Sequence, residues 1–446
     1  MHEDAFIVRG GKPLKGTVRL SGAKNISSKV MIASLMFEGP VHIHNIPHLK
    51  DVLELTHLIH DSGAQIELEN GKCVIDSSSM TSHEVDLLHG SKIRVSFMLF
   101  APFLKKFGKA RIPNPGGCRI GARPIDRMIA LIEAFGVATQ YDSSTGYYDA
   151  SVQGDGLVGT DFTFSKKTHT GTELAIMCAS VAKGQSIIRN CALEPEIDDL
   201  INFLNVSGAD IKRVGDEIHV TGVAELRAPS VPYTIACDRN NAVTYAIFAL
   251  ATRGDVTVEG ADASQLGVFL EYLDKAGAGY EVADTSIRFF HKGQLSPTDV
   301  TTVPEPGFMT DWQAPWAVLM TQAEGTSTVH ETVFENRFGY AQELNKLGAH
   351  IEFYQPEVED PQTTYQFDIH DMSAFKSAYQ GIRIFGPSQL HGGVMHVTDM
   401  RAGATLLIGA CLASGESVVI GATEVDRGYD DIEDKLTALG ADIRRV

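Results

Sequence analysis

The stretch Thr172-Glu173-Leu174-Ala175-Ile176-Met177-Cys178-Ala179-Ser180-Val181-Ala182-Lys183-Gly184 decides the fold. Its only charges are Glu173 and Lys183, so a helix built from it has no solvent face and must be buried on all sides. Gly184 suits the left-handed residue that closes such a helix. Downstream, Ile197, Leu200, Ile201 and Leu204 recur at the helical period. That amphipathic helix ends at Gly208-Ala209, where another strand begins. The same unit recurs along the chain. Apolar helical segments at 27–38, 95–107, 241–253, 312–324 and 402–414 each run to a glycine: Gly39, Gly108, Gly254, Gly325 and Gly415. Short strands follow, as in Val41-His42-Ile43-His44 and Ser417-Val418-Val419-Ile420. Ile125, Met128, Ile129, Ile132 and Phe135 form a second amphipathic helix. Glycine pairs close the units at Gly63-Ala64, Gly136-Val137, Gly208-Ala209, Gly277-Ala278, Gly348-Ala349 and Gly440-Ala441, spaced 73, 72, 69, 71 and 92.

Each unit mixes β and α, so the fold class is α/β. Six units exceed one core. Length alone suggests about three domains, whereas the repeat predicts two of three units each, with the boundary near Cys237-Asp238. The first domain is expected to cover 22–237. The second is expected to be discontinuous, 1–21 with 238–446, because strands at 5–8 and 18–20 precede the first unit.

Lys plus Arg number 38 against 56 Asp plus Glu, a net charge of -18. That balance argues against nucleic acid or an anionic membrane surface as a partner. Anionic small molecules remain open if the bases are concentrated in one place. The six cysteines show no CxxC and read as reduced thiols of a cytoplasmic protein. Met1-His2-Glu3-Asp4-Ala5-Phe6 lacks the apolar core of a signal peptide, and the apolar run 402–415 is too short to span a membrane. Walker A, HExxH and GxSxG motifs are missing, no GxGxxG opens a helix after a strand, and the histidines show no ligand spacing. No metal or cofactor is called for.

The starts of the six apolar helices carry Lys24-Asn25, Arg94, Lys166-Lys167, Asp238-Arg239, Asp311 and Asp399-Arg401. Helix N-termini attract anions. Three from each domain are expected to face an interdomain cleft. For the Asp residues, N-capping is an equal alternative. A cation there is locally unfavourable, so Lys24, Lys167 and Arg401 point to a compensating ligand. The loop Asn114-Pro115-Gly116-Gly117-Cys118-Arg119-Ile120-Gly121-Ala122-Arg123-Pro124-Ile125-Asp126-Arg127 runs into a helix. A thiol among cations there is expected to have a lowered pKa and to serve as nucleophile or proton donor. Asp311, in Thr310-Asp311-Trp312, is a candidate base toward a hydroxyl. Arg337 reads as an internal ion pair. Arg401 and Arg427 read as phosphate or carboxylate ligands oriented by neighbouring acids.

The runs Ser21-Gly22-Ala23-Lys24-Asn25, Pro115-Gly116-Gly117-Cys118, Ile120-Gly121-Ala122-Arg123-Pro124-Ile125-Asp126, Glu194-Pro195-Glu196-Ile197, Thr310-Asp311, Glu331-Thr332-Val333-Phe334-Glu335-Asn336-Arg337-Phe338 and Asp426-Arg427-Gly428-Tyr429 span nearly the whole chain in order. Together they resemble the UDP-N-acetylglucosamine enolpyruvyl transferase family. The resemblance implies two inverse α/β barrels, each of three βαβαββ units around buried helices. It also implies transfer of the enolpyruvyl group of phosphoenolpyruvate to the sugar 3-hydroxyl with loss of phosphate, a step of peptidoglycan synthesis that fosfomycin blocks. By the same resemblance Cys118, Asp311, Lys24, Arg401 and Asp399 are catalytic. Lys24, Asn25, Arg123 and Arg427 bind phosphoenolpyruvate. Asn25, Arg94, Arg123, Pro124, Ile125, Asp126, Arg127, Lys167, Thr168, His169, Thr170, Gly171, Asp311 and Val333 bind the sugar nucleotide. The protein is expected to be monomeric. The chain departs from the family at Arg127-Met128, at Thr168-His169-Thr170 and at Asp238-Arg239-Asn240-Asn241-Ala242. These leave open a paralogue acting on another uridine nucleotide such as UMP, or a non-catalytic protein that binds the same ligands.

Overall fold

The structure is a computed structural model describing residues 4–118, 120–121, 123–369, 375 and 378–446. Arg119 and Ala122 of the glycine-rich loop and the N-terminal Met1-His2-Glu3 lie outside the described residues. The chain divides into two compact units: a first of 22–117 and 124–236, and a second of 1–21, 118–123 and 237–446. The repeat assigns the whole Cys118 loop to the first. Residues 118–123 instead group with the second, where the Ile120 carbonyl accepts from Asn336 N–H at 3.2 Å and Arg123 lies 5.7 Å from the Phe334 ring centre.

Each repeat supplies one small sheet, mixed in all but the second. In the third, Asp161–Thr163 runs parallel to Gln185–Arg189, which pairs antiparallel with Glu217–Thr221, and Asp210–Val214 forms the far edge. The fifth has the same order, Val300–Thr301, Gly325–His330, Gly381–Gly386 and His350–Tyr354. The second repeat's sheet, Lys109–Pro113, Tyr147–Val152 and Val137–Asp142, is antiparallel throughout, and the other three borrow strands from elsewhere in their own unit. Ala5–Arg9 sits between Glu416–Ile420 and Asp442–Arg445. Lys15–Arg19 runs parallel to Asp255–Glu259, and Tyr233–Thr234 runs parallel to Val41–His44. Alternation sets the buried face: Val256 and Val258 enter the core while Glu259 is exposed.

The apolar segments are helices Lys24–Ser34, Phe100–Phe107 and His169–Val181 in the first unit, and Arg239–Ala251, Gln313–Met320 and Met400–Leu412 in the second. Short 3-10 turns, Arg94–Leu99 and Thr310–Trp312, lead into two of them. Every residue of Arg239–Ala251 is buried, and the three helices of the second unit pack on one another. Four of the helical elements begin before the apolar runs, because their first turns carry the polar residues that matter for the site. All six closing glycines have positive φ. Of the helix-end glycines, Gly254 is the exception: Arg253 takes the left-handed conformation at φ 57, and a Cβ on Gly254 would lie 2.0 Å from the Leu14 carbonyl oxygen. The long last spacing falls on 355–380, where Tyr365, Phe367 and Phe375 form a separate cluster. Among the described residues no helix is long and apolar enough to cross a membrane.

Candidate active site

Asp311 is the centre of the second unit's polar network. It lies in the turn Thr310–Trp312 and caps nothing. Arg337 donates through Nη1 and Nη2 to its Oδ1, both at 3.1 Å. Arg401 donates through Nε to its Oδ2 at 3.2 Å. Burial would push this carboxyl up, but Arg401 and Arg337 outweigh it and hold the group far below the usual carboxylate range. Asp311 is therefore an ionised, weakly basic acceptor, suited to orienting a hydroxyl.

The two guanidiniums are themselves fixed. Arg401 Nη1 donates to Asn241 Oδ1 at 3.2 Å and to Tyr429 Oη at 2.9 Å, and Tyr429 Oη is 2.9 Å from Thr244 Oγ1. Asp399 caps helix Met400–Leu412, with Oδ1 accepting from the N–H groups of Arg401 and Ala402 at 3.0 and 3.1 Å. Its side chain thus fixes the backbone of Arg401. Asp238 does the same for Arg239–Ala251 through Asn240 and Asn241. Arg337 is held by its loop. Buried Glu331 accepts from Val333 and Phe334 N–H at 2.7 and 3.0 Å and from Thr310 Oγ1 at 2.8 Å. Val333 is therefore presented from a loop stapled to the turn that carries Asp311.

The Cys118 loop reaches this network through Arg123, which has φ 47 and donates to the Cys118 carbonyl at 3.5 Å. Burial lowers the Arg123 pKa, and it feels Arg337, Asp311 and Arg427. Gly121 takes φ 150, a conformation strained for other residues, and a Cβ there would displace the Glu335 carboxylate. Cys118 is half-buried against the second unit's core. Burial pushes the thiols of Cys73, Cys178, Cys191 and Cys411 up to about 12, which keeps them inert. Arg427 pairs with Glu424 at 3.0 Å.

In the first unit the cations expected to await a ligand also have internal partners. Lys24 Nζ is 2.9 Å from Asp51 Oδ2. Lys167 donates to the Cys191 carbonyl at 3.2 Å. Arg94 Nη2 donates to the Pro124 carbonyl at 3.4 Å, bringing its side chain to the start of helix Asp126–Ala134, which Ile125 precedes and whose second residue is Arg127. Arg111 pairs with Asp149 at 2.8 Å and is structural. Thr168 caps helix His169–Val181 by accepting from Gly171 N–H at 3.2 Å. Asn25 and Thr170 are half-buried. The roles of Asn241 and Glu305 as partners of buried arginines, and of Thr244 as partner of Tyr429, are not legible from sequence, since each works on a residue distant in the chain; Glu305 pairs with Arg239 at 2.8 Å.

The family model of EPSP synthase (3-phosphoshikimate 1-carboxyvinyltransferase) matches residues 8–436. The UDP-N-acetylglucosamine 1-carboxyvinyltransferase of Desulforapulum autotrophicum is 37% identical over 444 residues, covering 99% of this chain and all of that one. The chain belongs to the enolpyruvyl transferase family. A Halothermothrix orenii relative, also a UDP-N-acetylglucosamine 1-carboxyvinyltransferase, is 38% identical over 442 residues, 99% of either chain. The crystal structure of the enolpyruvyl transferase NikO from Streptomyces tendae superposes with a TM-score of 0.85 at 24% identity, covering 100% of this chain and 99% of that one. An EPSP synthase from Acinetobacter baumannii gives 0.70 at 17%, over 99% and 100%. These two likenesses speak for the fold, the two-domain inverse α/β barrel of enolpyruvyl transferases.

Proposed function

We propose that this chain transfers the enolpyruvyl group of phosphoenolpyruvate to the 3-hydroxyl of UDP-N-acetylglucosamine and releases inorganic phosphate, the first committed step of peptidoglycan precursor synthesis. The observation that carries the reading is 37% identity from end to end to an enzyme of that name. The Asp311 network and the Cys118 loop supply the chemistry. Lys24, Asn25, Arg123 and Arg427 hold the phosphate and carboxylate of phosphoenolpyruvate. Arg94, the segment 123–127 and the segment 167–171 hold the nucleotide, while Asn25, Asp311 and Val333 contact the sugar.

The Cys118 thiol protonates the methylene carbon, which makes C2 electrophilic. The sugar hydroxyl, oriented by Asp311, forms the new C–O bond to C2 and gives a tetrahedral ketal phosphate, and the proton it gives up passes to the phosphate and leaves with it. The C–O bond to phosphate then breaks, and a methyl proton returns to the Cys118 thiolate, regenerating the enol ether. The fixed cations balance the charge that develops on the phosphate. Arg401 and Asp399 support the centre by fixing Asp311. The enzyme works as a single chain in the cytoplasm, and a solution mass above the 48.3 kDa of one chain would exclude the monomer.

Phosphate release from phosphoenolpyruvate should require UDP-N-acetylglucosamine. Release with UMP and none with the sugar nucleotide would overturn the acceptor. Cys118→Ser should cut turnover at neutral pH by about a hundredfold or more and abolish alkylation by fosfomycin. Alkylation persisting at another cysteine would overturn the assignment of the reactive thiol.

A further inference from the structure

The buried charges that this chemistry leaves unused gather at one point in the first unit. Glu173, wholly buried in helix His169–Val181, lies 3.3 Å from Lys29 Nζ of helix Lys24–Ser34 and 3.3 Å from His169 Nε2 one turn earlier. Neither contact is aligned as a hydrogen bond. Both carboxylate oxygens of Glu173, His169 Nε2 and Oε2 of Glu194 are buried without a hydrogen-bond partner, and Glu194 as a whole is only 8% exposed. Unsatisfied buried polar atoms are rare and need a reason.

Stability does not supply one. Desolvation of a buried ion cluster offsets most of its attraction, and apolar replacement is often neutral or stabilising. A cation in the first turn also opposes the helix dipole. His169 nevertheless keeps 23% of its side chain exposed while Nε2 is buried against Glu173. One edge of the ring faces the acid, and part of the rest is exposed at the first residue of the helix, directly after the capping Thr168 in sequence.

We propose that Glu173, backed by Lys29, is a positioning residue that holds His169 as a fixed cation for the diphosphate of the nucleotide. The inference rests on the proposed function, which assigns segment 167–171 to that ligand. The charges that set the state of His169 come from three elements. Burial disfavours the imidazolium, but Glu173 on its own helix and Glu194 before helix Pro195–Val206 outweigh burial and Lys29, and raise its pKa to about 9. Helix Asp126–Ala134 packs alongside and brings Asp126 and Arg127 at its start. A raised His pKa means that the cation is present below about 9 and is lost as pH rises through it. The diphosphate diester of the sugar nucleotide keeps its charge over this range, whereas the terminal phosphate of UDP titrates near about pH 6 and the uracil ring of both ligands begins to lose its imide proton at the alkaline end, so the protein's part is the difference between variant and wild type at each pH.

The test measures calorimetric Kd for UDP and for UDP-N-acetylglucosamine between pH 6 and 9.5, with KM and kcat alongside, on the full chain. In the wild type, Kd should stay flat to about pH 8 and weaken above 9. Lys29→Leu combined with Glu173→Leu should fold with an unchanged or higher Tm and little change in kcat. At pH 8 its Kd should weaken about tenfold, the scale of one hydrogen bond to a charged group, and recover toward pH 6 as the freed imidazole protonates. His169→Gln should bind more weakly than the wild type from pH 6 to 8, with no recovery toward pH 6. A double variant with wild-type Kd throughout would overturn the proposal, as would a weakening that pH does not reverse. If the wild type fails to turn over UDP-N-acetylglucosamine, the functional reading fails instead, and the UDP titrations still decide the role of Glu173.

Discussion

At Asp311 two expectations from sequence meet, a helix cap and a base; it caps no helix, and guanidinium donors on both oxygens make it a weak base. Both oxygens carry guanidinium donors from Arg337 and Arg401, which are 4% and 3% exposed. Asp311→Asn removes the charge that these buried cations share. Breaking a buried pair by removing one partner costs about 3 kcal/mol, and that loss is expected in urea unfolding at pH 7, together with loss of turnover. The pH sign follows from the depressed carboxyl pKa. Stability from such a group is fully present above the unfolded value of about 3.9 and is lost as pH falls toward the folded one. The gap between variant and wild type should therefore narrow steadily below about pH 4. A gap of the same size at pH 7 and pH 3 would show that Asp311 contributes nothing through its charge.

At the scale of elements, the starts of the buried helices divide by chemistry. Asp238 and Asp399 are caps, each with one oxygen accepting two backbone N–H groups. If capping is how Asp399 serves catalysis, Asp399→Asn and Asp399→Ser should keep most of both stability and activity. Asp399→Ala should lose about 1 kcal/mol and shift Arg401 off Asp311, lowering kcat. Equal loss of kcat in all three variants would assign the carboxylate a direct role. Sequence resolved the helices well because their burial is written in unbroken apolar runs, and the closing glycines because only glycine takes positive φ cheaply. It placed the Arg337 ion pair and the special loop at Cys118. The partners were hidden. Arg401 was read beside its neighbour Asp399, yet its guanidinium bonds Asp311, Asn241 and Tyr429. Glu173 read as a lone charge in an apolar run, because nothing in a linear pattern points from it to Lys29.

Across the whole molecule, the repeat closes each unit on itself with strands from far along the chain. Ala5–Arg9 is not an edge but an interior strand, hydrogen-bonded to Glu416–Ile420 on one side and Asp442–Arg445 on the other. Its inward side chains Phe6 and Val8 are 1% and 0% exposed and belong to the same core as Leu407 and Val419. That core also packs Met400 and Tyr429, so the terminal strand and the Arg401 network share one support. Phe6→Ala opens a cavity in that core and should cost about 3–5 kcal/mol, read as a lower urea midpoint. Since the cavity lies beneath helix Met400–Leu412 and not at Asp311, kcat should fall less than stability, and kcat measured well below the melting temperature separates the two. Deleting residues 1–11 removes the interior strand altogether, leaving both neighbours with unpaired backbone groups; this variant should fail to yield a folded second unit, whereas a protein that folds and turns over without them would show that the sixth repeat is complete on its own.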